Sequence, residues 1–234
     1  MPHKRPFLIL YSILIFLVIL AQWIKTPVLA YIAKPLLMVS LATFFYFNVK
    51  DTFNTFAKLI LVALLLSCIG DTFLLFQSDP HNYFVPGLAS FLLAHIVYSY
   101  AFLRYPLSGN LKQHLGIFTT KPHLILPFIA YLLLFMYVLH NDLGTLLVPV
   151  AIYAIVINFM ALAALSRWHR VSDYSFSMVF WGALIFVLSD SIIAINKFLT
   201  SIPFDNIFIM STYCLAQYMI VKGAYEQLKP TSVR

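Results

Sequence analysis

Two aspartates lie inside long apolar runs of this chain. Asp71 stands between Gly70 and Thr72, and Asp190 stands between Ser189 and Ser191. Lys34 and His95 are the other ionisable residues set deep in such runs, and Tyr98, Asn158, Asn196, Tyr213 and Gln217 add neutral polarity. An ionisable side chain within a spanning helix costs about 2.5–3.5 kcal/mol on insertion scales, so it is a functional candidate by default. Neutral Asn or Ser would glue helices together at lower cost. Two carboxylates in a dry pocket can hold different protonation states, one kept as an acid and the other ionised beside a cation. That suits acid-catalysed hydrolysis, where a proton is delivered and a developing positive charge is stabilised. It suits a proton-coupled carrier of a lipid or small amphiphile equally well. A third reading is a structural membrane protein with a packed polar core.

Other chemistries fare worse. A zinc hydrolase needs three protein ligands for its metal, and His95 is the one histidine deep in an apolar run. For the same reason haem ligation by paired helical histidines fails. No metal and no cofactor is therefore expected. H-E-x-x-H, P-loop, G-x-G-x-x-G and G-x-S-x-G motifs are all missing from the sequence. Ser189 or Ser191 with His95 as base would make a nucleophilic pair, but no motif supports it. Cys68 and Cys214 fall in apolar runs, where cysteines behave as small hydrophobes.

The elements that must position these residues follow from composition. Of 234 residues, 62% are hydrophobic and only 10% charged, and the mean hydropathy is +0.91. No soluble fold of this size hides so much apolar surface. The expected fold is all-α: one integral membrane domain over 1–234, a polytopic bundle of about eight transmembrane helices of roughly 20 apolar residues each. The runs are 7–24, 27–47, 55–76, 82–104, 121–139, 143–165, 174–198 and 204–226, and the longest connector is Tyr105 to Thr120. Lys4 and Arg5 precede the run Phe7 to Ile24. That run is too long for a signal-peptide core and lacks a small-x-small cleavage site, so it reads as the first helix.

Basic residues sort by side. Lys4, Arg5, Lys50, Lys58, Arg104, Lys112, Lys121, Arg167, Arg170, Lys222, Lys229 and Arg234 share one side, against Lys25 and Lys197 on the other. This positive-inside pattern places both termini in the cytoplasm. The net charge of +7 thus reflects topology and does not mark a nucleic-acid binder. Compact loops favour a bacterial inner membrane.

With that orientation Lys34, Asp71 and Asp190 fall about one and a half to two turns from the outer helix ends, in one layer of the outer half of the bilayer. His95 lies nearer the middle. Lys34 between two carboxylates would lower the cost of burying all three. The residues also line up on faces at spacings of three or four. Gly182, Phe186, Ser189, Asp190, Ile193, Asn196 and Lys197 do so in helix 7, and Gly87, Phe91, Ala94, His95, Tyr98 and Phe102 in helix 4. A faint repeat sets Gly70-Asp71-Thr72 against Ser189-Asp190-Ser191, Leu93-Ala94-His95 against Leu215-Ala216-Gln217, and Pro35 against Pro149. It would make two parallel four-helix halves. Coincidence among a few apolar letters is the alternative.

These motifs resemble the YhhN-type membrane proteins, whose animal members are lysoplasmalogenases. The resemblance rests on Lys34-Pro35-Leu36, Gly70-Asp71 with Leu74, and Phe84, Gly87, Phe91, His95 and Tyr98. It continues through Gly182 to Ser191, then Tyr213 and Ala216-Gln217. It implies hydrolysis of the vinyl ether bond of a lysophospholipid, giving a fatty aldehyde and glycerophosphoethanolamine or glycerophosphocholine. The partners implied are that substrate and membrane lipid. A vinyl ether is cleaved by protonating its β-carbon, which fits two carboxylates. Asp71 and Asp190 are then the catalytic candidates. Lys34, His95, Tyr98, Ser189, Asn196, Tyr213 and Gln217 are the substrate-binding candidates.

Overall fold

The computed structural model describes residues 4–24, 26–76, 83–105, 118 and 120–229. Every regular element among them is helical. The eight long helices are α1 (Lys4–Trp23), α2 (Pro27–Val49), α3 (Thr55–Leu75), α4 (Phe84–Arg104), α5 (Leu126–Leu139), α6 (Leu147–Leu165), α7 (Asp173–Ala194) and α8 (Asp205–Leu228). Seven of these, with their short extensions, are long and apolar enough to cross a membrane, while the apolar stretch of α1, Pro6–Ala21, is shorter. The connector expected at 105–120 lies mostly outside the described residues. The chain is an integral, multi-pass membrane protein.

The helix limits have local causes. Asn54 caps α3 by accepting from Ala57 N at 3.1 Å, and Ser172 caps α7 by accepting from Ser175 N at 3.3 Å. α7 does not stop at Ala194 but runs on through a π turn, Ile195–Leu199. The side-chain amide of Asn196 donates to the Asp205 carboxylate at 2.8 Å and ties that turn to the start of α8. Many large apolar side chains, such as Phe16, Phe47, Leu133 and Tyr137, are exposed. Hydrocarbon is the solvent that makes this favourable.

α7 and α8 share the most extensive packing, followed by α3 with α4. Glycines make both approaches possible. A Cβ on Gly182 would lie 3.0 Å from the Ala216 carbonyl oxygen, and one on Gly87 would lie 3.3 Å from the Gly70 oxygen. α5 is the outlier: Phe128 and Leu139 are its buried residues, and the rest of it faces outward or is half-buried. Contacts partly follow a shift by four helices, since α4 packs on α6 as α8 packs on α2. The prolines do not follow it, because Pro35 lies within α2 and Pro149 in the first turn of α6.

Candidate active site

The two aspartates occupy two separate polar nodes. Asp190 projects from α7 towards α6 and α4. The Tyr153 hydroxyl donates to Asp190 Oδ2. His95 Nε2 lies 2.9 Å from the Tyr153 oxygen and 3.4 Å from Asp190 Oδ2. Because Tyr153 spends its proton on the carboxylate, its oxygen accepts, and the proton of the imidazole belongs on Nε2. His95 is fully buried, and its Nδ1 has no partner among the described residues.

Asp71, on α3, forms the other node. The Tyr213 hydroxyl donates to Asp71 Oδ2 over 2.6 Å and lies 3.3 Å from the sulfur of Met38. Gln217 Nε2 points at the same Tyr213 oxygen from 3.5 Å, and Gln217 Oε1 accepts from the Tyr98 hydroxyl at 2.8 Å. A buried line of side chains therefore runs from Tyr98 through Gln217 and Tyr213 to Asp71. Satisfying each member is what lets such a network persist in a low-dielectric interior.

Two rings join the nodes. Phe186 lies 4.8 Å from the His95 ring and 5.5 Å from the Tyr213 ring, edge to face in both cases. Phe91 lies 6.5 Å and 5.8 Å from the same two rings. Gly70 leaves room for Phe91, since a Cβ there would meet the Phe91 ring at 2.6 Å.

Among the described residues, the Asp190 node is the one that lines a cleft. An apolar cleft between α4, α5, α6 and α7 is lined by Phe84, Leu88, Phe135, Val150, Ile157 and Val187 among others, with Leu74 from α3. Its polar lining consists of Asp190, Tyr153, Tyr131 and Ser191. The cleft sits where α4 and α6 begin and α5 and α7 end. The Asp190 side chain is 12% exposed there, while Asp71 is buried, and Phe91 packs on the ring of the Tyr213 that bonds it. Tyr131 and Ser191 are 2.7 Å apart, and Ser191 donates to the Val187 carbonyl at 2.5 Å.

The sequence of the YhhN family matches residues 29–224 of this chain. The chain belongs to the YhhN family. It is similar to lysoplasmalogenase TMEM86A of Bos taurus, 33% identical over 183 residues that cover 74% of this chain and 68% of the relative. It is similar to lysoplasmalogenase TMEM86B of Homo sapiens, 30% identical over 211 residues, covering 89% and 82%. No solved structure matches it.

The expected site residues of this YhhN member divide accordingly. Asp190 and His95 come together, as do Asp71, Tyr213, Gln217 and Tyr98. Lys34 is half-buried on α2, close enough to act on the charge of Asp71, but it forms no ion pair with either carboxylate. Two candidates lie apart. Ser189 donates to the Ile209 carbonyl at 3.2 Å and so ties α7 to α8. Asn196 spends its amide on Asp205 and its oxygen on Ile202 N, 2.8 Å each, in the α7–α8 turn. Neither serine reaches His95, so the nucleophile-and-base pair is not assembled.

Tyr153 was not among the expected residues. Its signal was weak: one tyrosine in a strongly apolar helix, on the face that buries Ala154, Ile157 and Ala161.

Proposed function

We propose that this chain is a membrane-embedded lysoplasmalogenase, hydrolysing the vinyl ether bond of a lysoplasmalogen to a fatty aldehyde and glycerophosphoethanolamine or glycerophosphocholine. The observation that carries the reading is the Asp190 carboxylate on the wall of an apolar cleft, in a chain whose relatives bear that name. The carrier alternative is not favoured, because those relatives are named as enzymes.

The chemistry follows from the asymmetry of Asp190. Its Oδ2 takes Tyr153 and His95, and Oδ1 takes no described residue. In its acid form Asp190 carries the proton on Oδ1 and delivers it to the β-carbon of the vinyl ether. The C=C electron pair forms the new C–H bond, and the ether oxygen shares the positive charge as an oxocarbenium ion. Asp190, now a carboxylate, takes a proton from water as the water oxygen bonds to the α-carbon. The resulting hemiacetal collapses to the aldehyde, and the glycerol oxygen leaves with a proton. Asp71 acts through space: its negative charge, tempered by Lys34, favours the cationic intermediate across the Phe91 ring. Tyr153 and His95 are positioning residues for Asp190.

In this reading both termini face the cytoplasm, since the basic loops lie on that side, and the cleft mouth faces the outer half of a bacterial inner membrane. The test is incubation of the detergent-purified chain with lysoplasmenylethanolamine, scoring aldehyde. A saturated ether lysophospholipid should yield none. Failure of the wild-type chain to release aldehyde would reject the function. Near-normal turnover by both Asp190→Asn and Asp71→Asn would reject the mechanism alone.

A further inference from the structure

Lys197 lies two turns beyond Asp190, in the π turn that extends α7. Its side chain is exposed, and its ammonium stands 5.1 Å from the centre of the Phe84 ring. Phe84 and Phe198, edge to face at 6.0 Å, both line the cleft at its outer end. The cation is therefore held over the rim by its attraction to a ring face. Lys197 pairs with no carboxylate among the described residues, whereas Lys222 and Lys229, at the opposite end of the bundle, both pair with Glu226.

Lys197 is seven residues beyond Asp190, the last three of them in the π turn, so it stands about 10 Å further along the helix, at the end where Phe84 and Phe198 line the cleft. In a single-chain glycerophospholipid, five bonds of ordinary length separate the ether oxygen from phosphorus, about 6 Å when extended. The difference is within reach of a flexible lysine side chain bending back from the rim.

We propose that Lys197 is the phosphate-binding residue of the cleft, taking the phosphodiester of a single-chain lipid whose first ether carbon lies at Asp190. The bond being cleaved comes from the hydrolase reading, on which this placement rests. The phosphate site itself requires only a single-chain glycerophospholipid in the cleft. Lys197 would thus measure the substrate: the glycerol unit spans the interval between acid and cation, and the hydrocarbon chain occupies the apolar lining.

Binding is measured on the full-length chain in a neutral detergent, using a saturated ether lysophosphoethanolamine and the alkylglycerol of the same chain length. Neither contains a vinyl ether, so the readout does not depend on turnover. Lys197→Gln should weaken the lysophospholipid about tenfold, which is about 1.4 kcal/mol, and leave the alkylglycerol within twofold. Lys197→Arg should restore the preference, and added salt should erode it in the wild type. Equal weakening of both ligands by Lys197→Gln, or no weakening of either, would overturn the proposal. So would inorganic phosphate binding Lys197 as well as the lipid does. A wild-type chain that shows the Lys197-dependent preference but releases no aldehyde would leave the phosphate site standing and reject the hydrolase reading.

Discussion

Tyr153 on α6 donates its hydroxyl proton to Oδ2 of Asp190 on α7, a residue that lines the cleft, and Oδ1 of the same carboxyl group takes no partner among the described residues. The two oxygens of one side chain therefore have different tasks. The first is anchored, with His95 beside it at 3.4 Å. The second is the position from which a proton can leave. An acid that must reach a carbon atom needs such an orientation, because carbon offers no lone pair to draw the proton across a poor geometry.

Replacing Asp190 with Asn keeps the shape and the acceptor for Tyr153 but removes the transferable proton. Aldehyde release by Asp190→Asn should fall by about 10²–10⁴-fold, the range for loss of a general acid. Binding of the saturated ether analogue should stay within a few-fold of wild type, and the variant should elute as the wild type does on size exclusion. Retention of more than a tenth of the wild-type rate would show that the proton comes from elsewhere.

Tyr153→Phe deletes the anchor and leaves the acid. The expected result is a fall in kcat of about ten- to a hundredfold with little change in KM, the signature of an interaction that matters in the transition state. His95→Gln acts through the same Tyr153 oxygen, from 2.9 Å. The double variant should therefore be scarcely worse than the more damaged single variant, since residues of one network are not additive. Full additivity in the logarithm of kcat would show that the two side chains work independently.

The helices were readable because the apolar runs and the polar breaks between them leave few choices. Residue 27 begins α2 and residue 55 begins α3 as the pattern requires. Asp71 and Asp190 stood out because burial of charge is costly in lipid. What periodicity could not show was pairing. Asp71 and Asp190 match as motifs, yet one is buried and bonded by Tyr213 and the other lines a cleft. That difference depends on which helices become neighbours, a property of long-range packing. Asn196 misled for a related reason. It shares a face with Asp190 by spacing, but the π turn Ile195–Leu199 carries it to the α7–α8 connection. Tyr153 escaped because a tyrosine in an apolar helix usually signals packing, and only the approach of α7 gives its hydroxyl a carboxylate.

Gly223 on α8 lies close against the backbone of α7. A Cβ there would lie 2.8 Å from the Ser175 carbonyl oxygen and 2.6 Å from a Val179 methyl. The side chain can turn away, but the carbonyl belongs to α7 itself, and Ser175 Oγ also bonds the Gly223 carbonyl at 2.7 Å. Gly223→Ala must push the helices apart, which costs about 1–3 kcal/mol as overpacking does. Thermal unfolding in detergent should move down by several degrees. An unchanged midpoint would mean that the α7–α8 contact relaxes at no cost.

Arg167, in the α6–α7 connection, makes an opposite prediction about a charged group. It is fully buried, donates from Nη2 to Ser175 Oγ at 2.9 Å, and leaves Nε and Nη1 without partners among the described residues. The rings of Phe102 and Phe56, 5.3 and 5.8 Å from the guanidinium carbon, offset part of the desolvation. Burial still pushes the guanidinium down to about 9, well below the usual arginine range. Holding the charge inside therefore costs stability below about pH 9. That cost is relieved as pH rises from there towards the ordinary arginine range. Arg167→Met fills similar space without the charge, so at pH 7 it should melt no lower than wild type. Raising the pH to 10 should narrow any gap, because only the wild type gains. Arg167→Ala should melt below both, because it leaves a cavity worth about 2–4 kcal/mol. A methionine variant that melts as low as the alanine variant would show that the charge itself stabilises this end of the bundle.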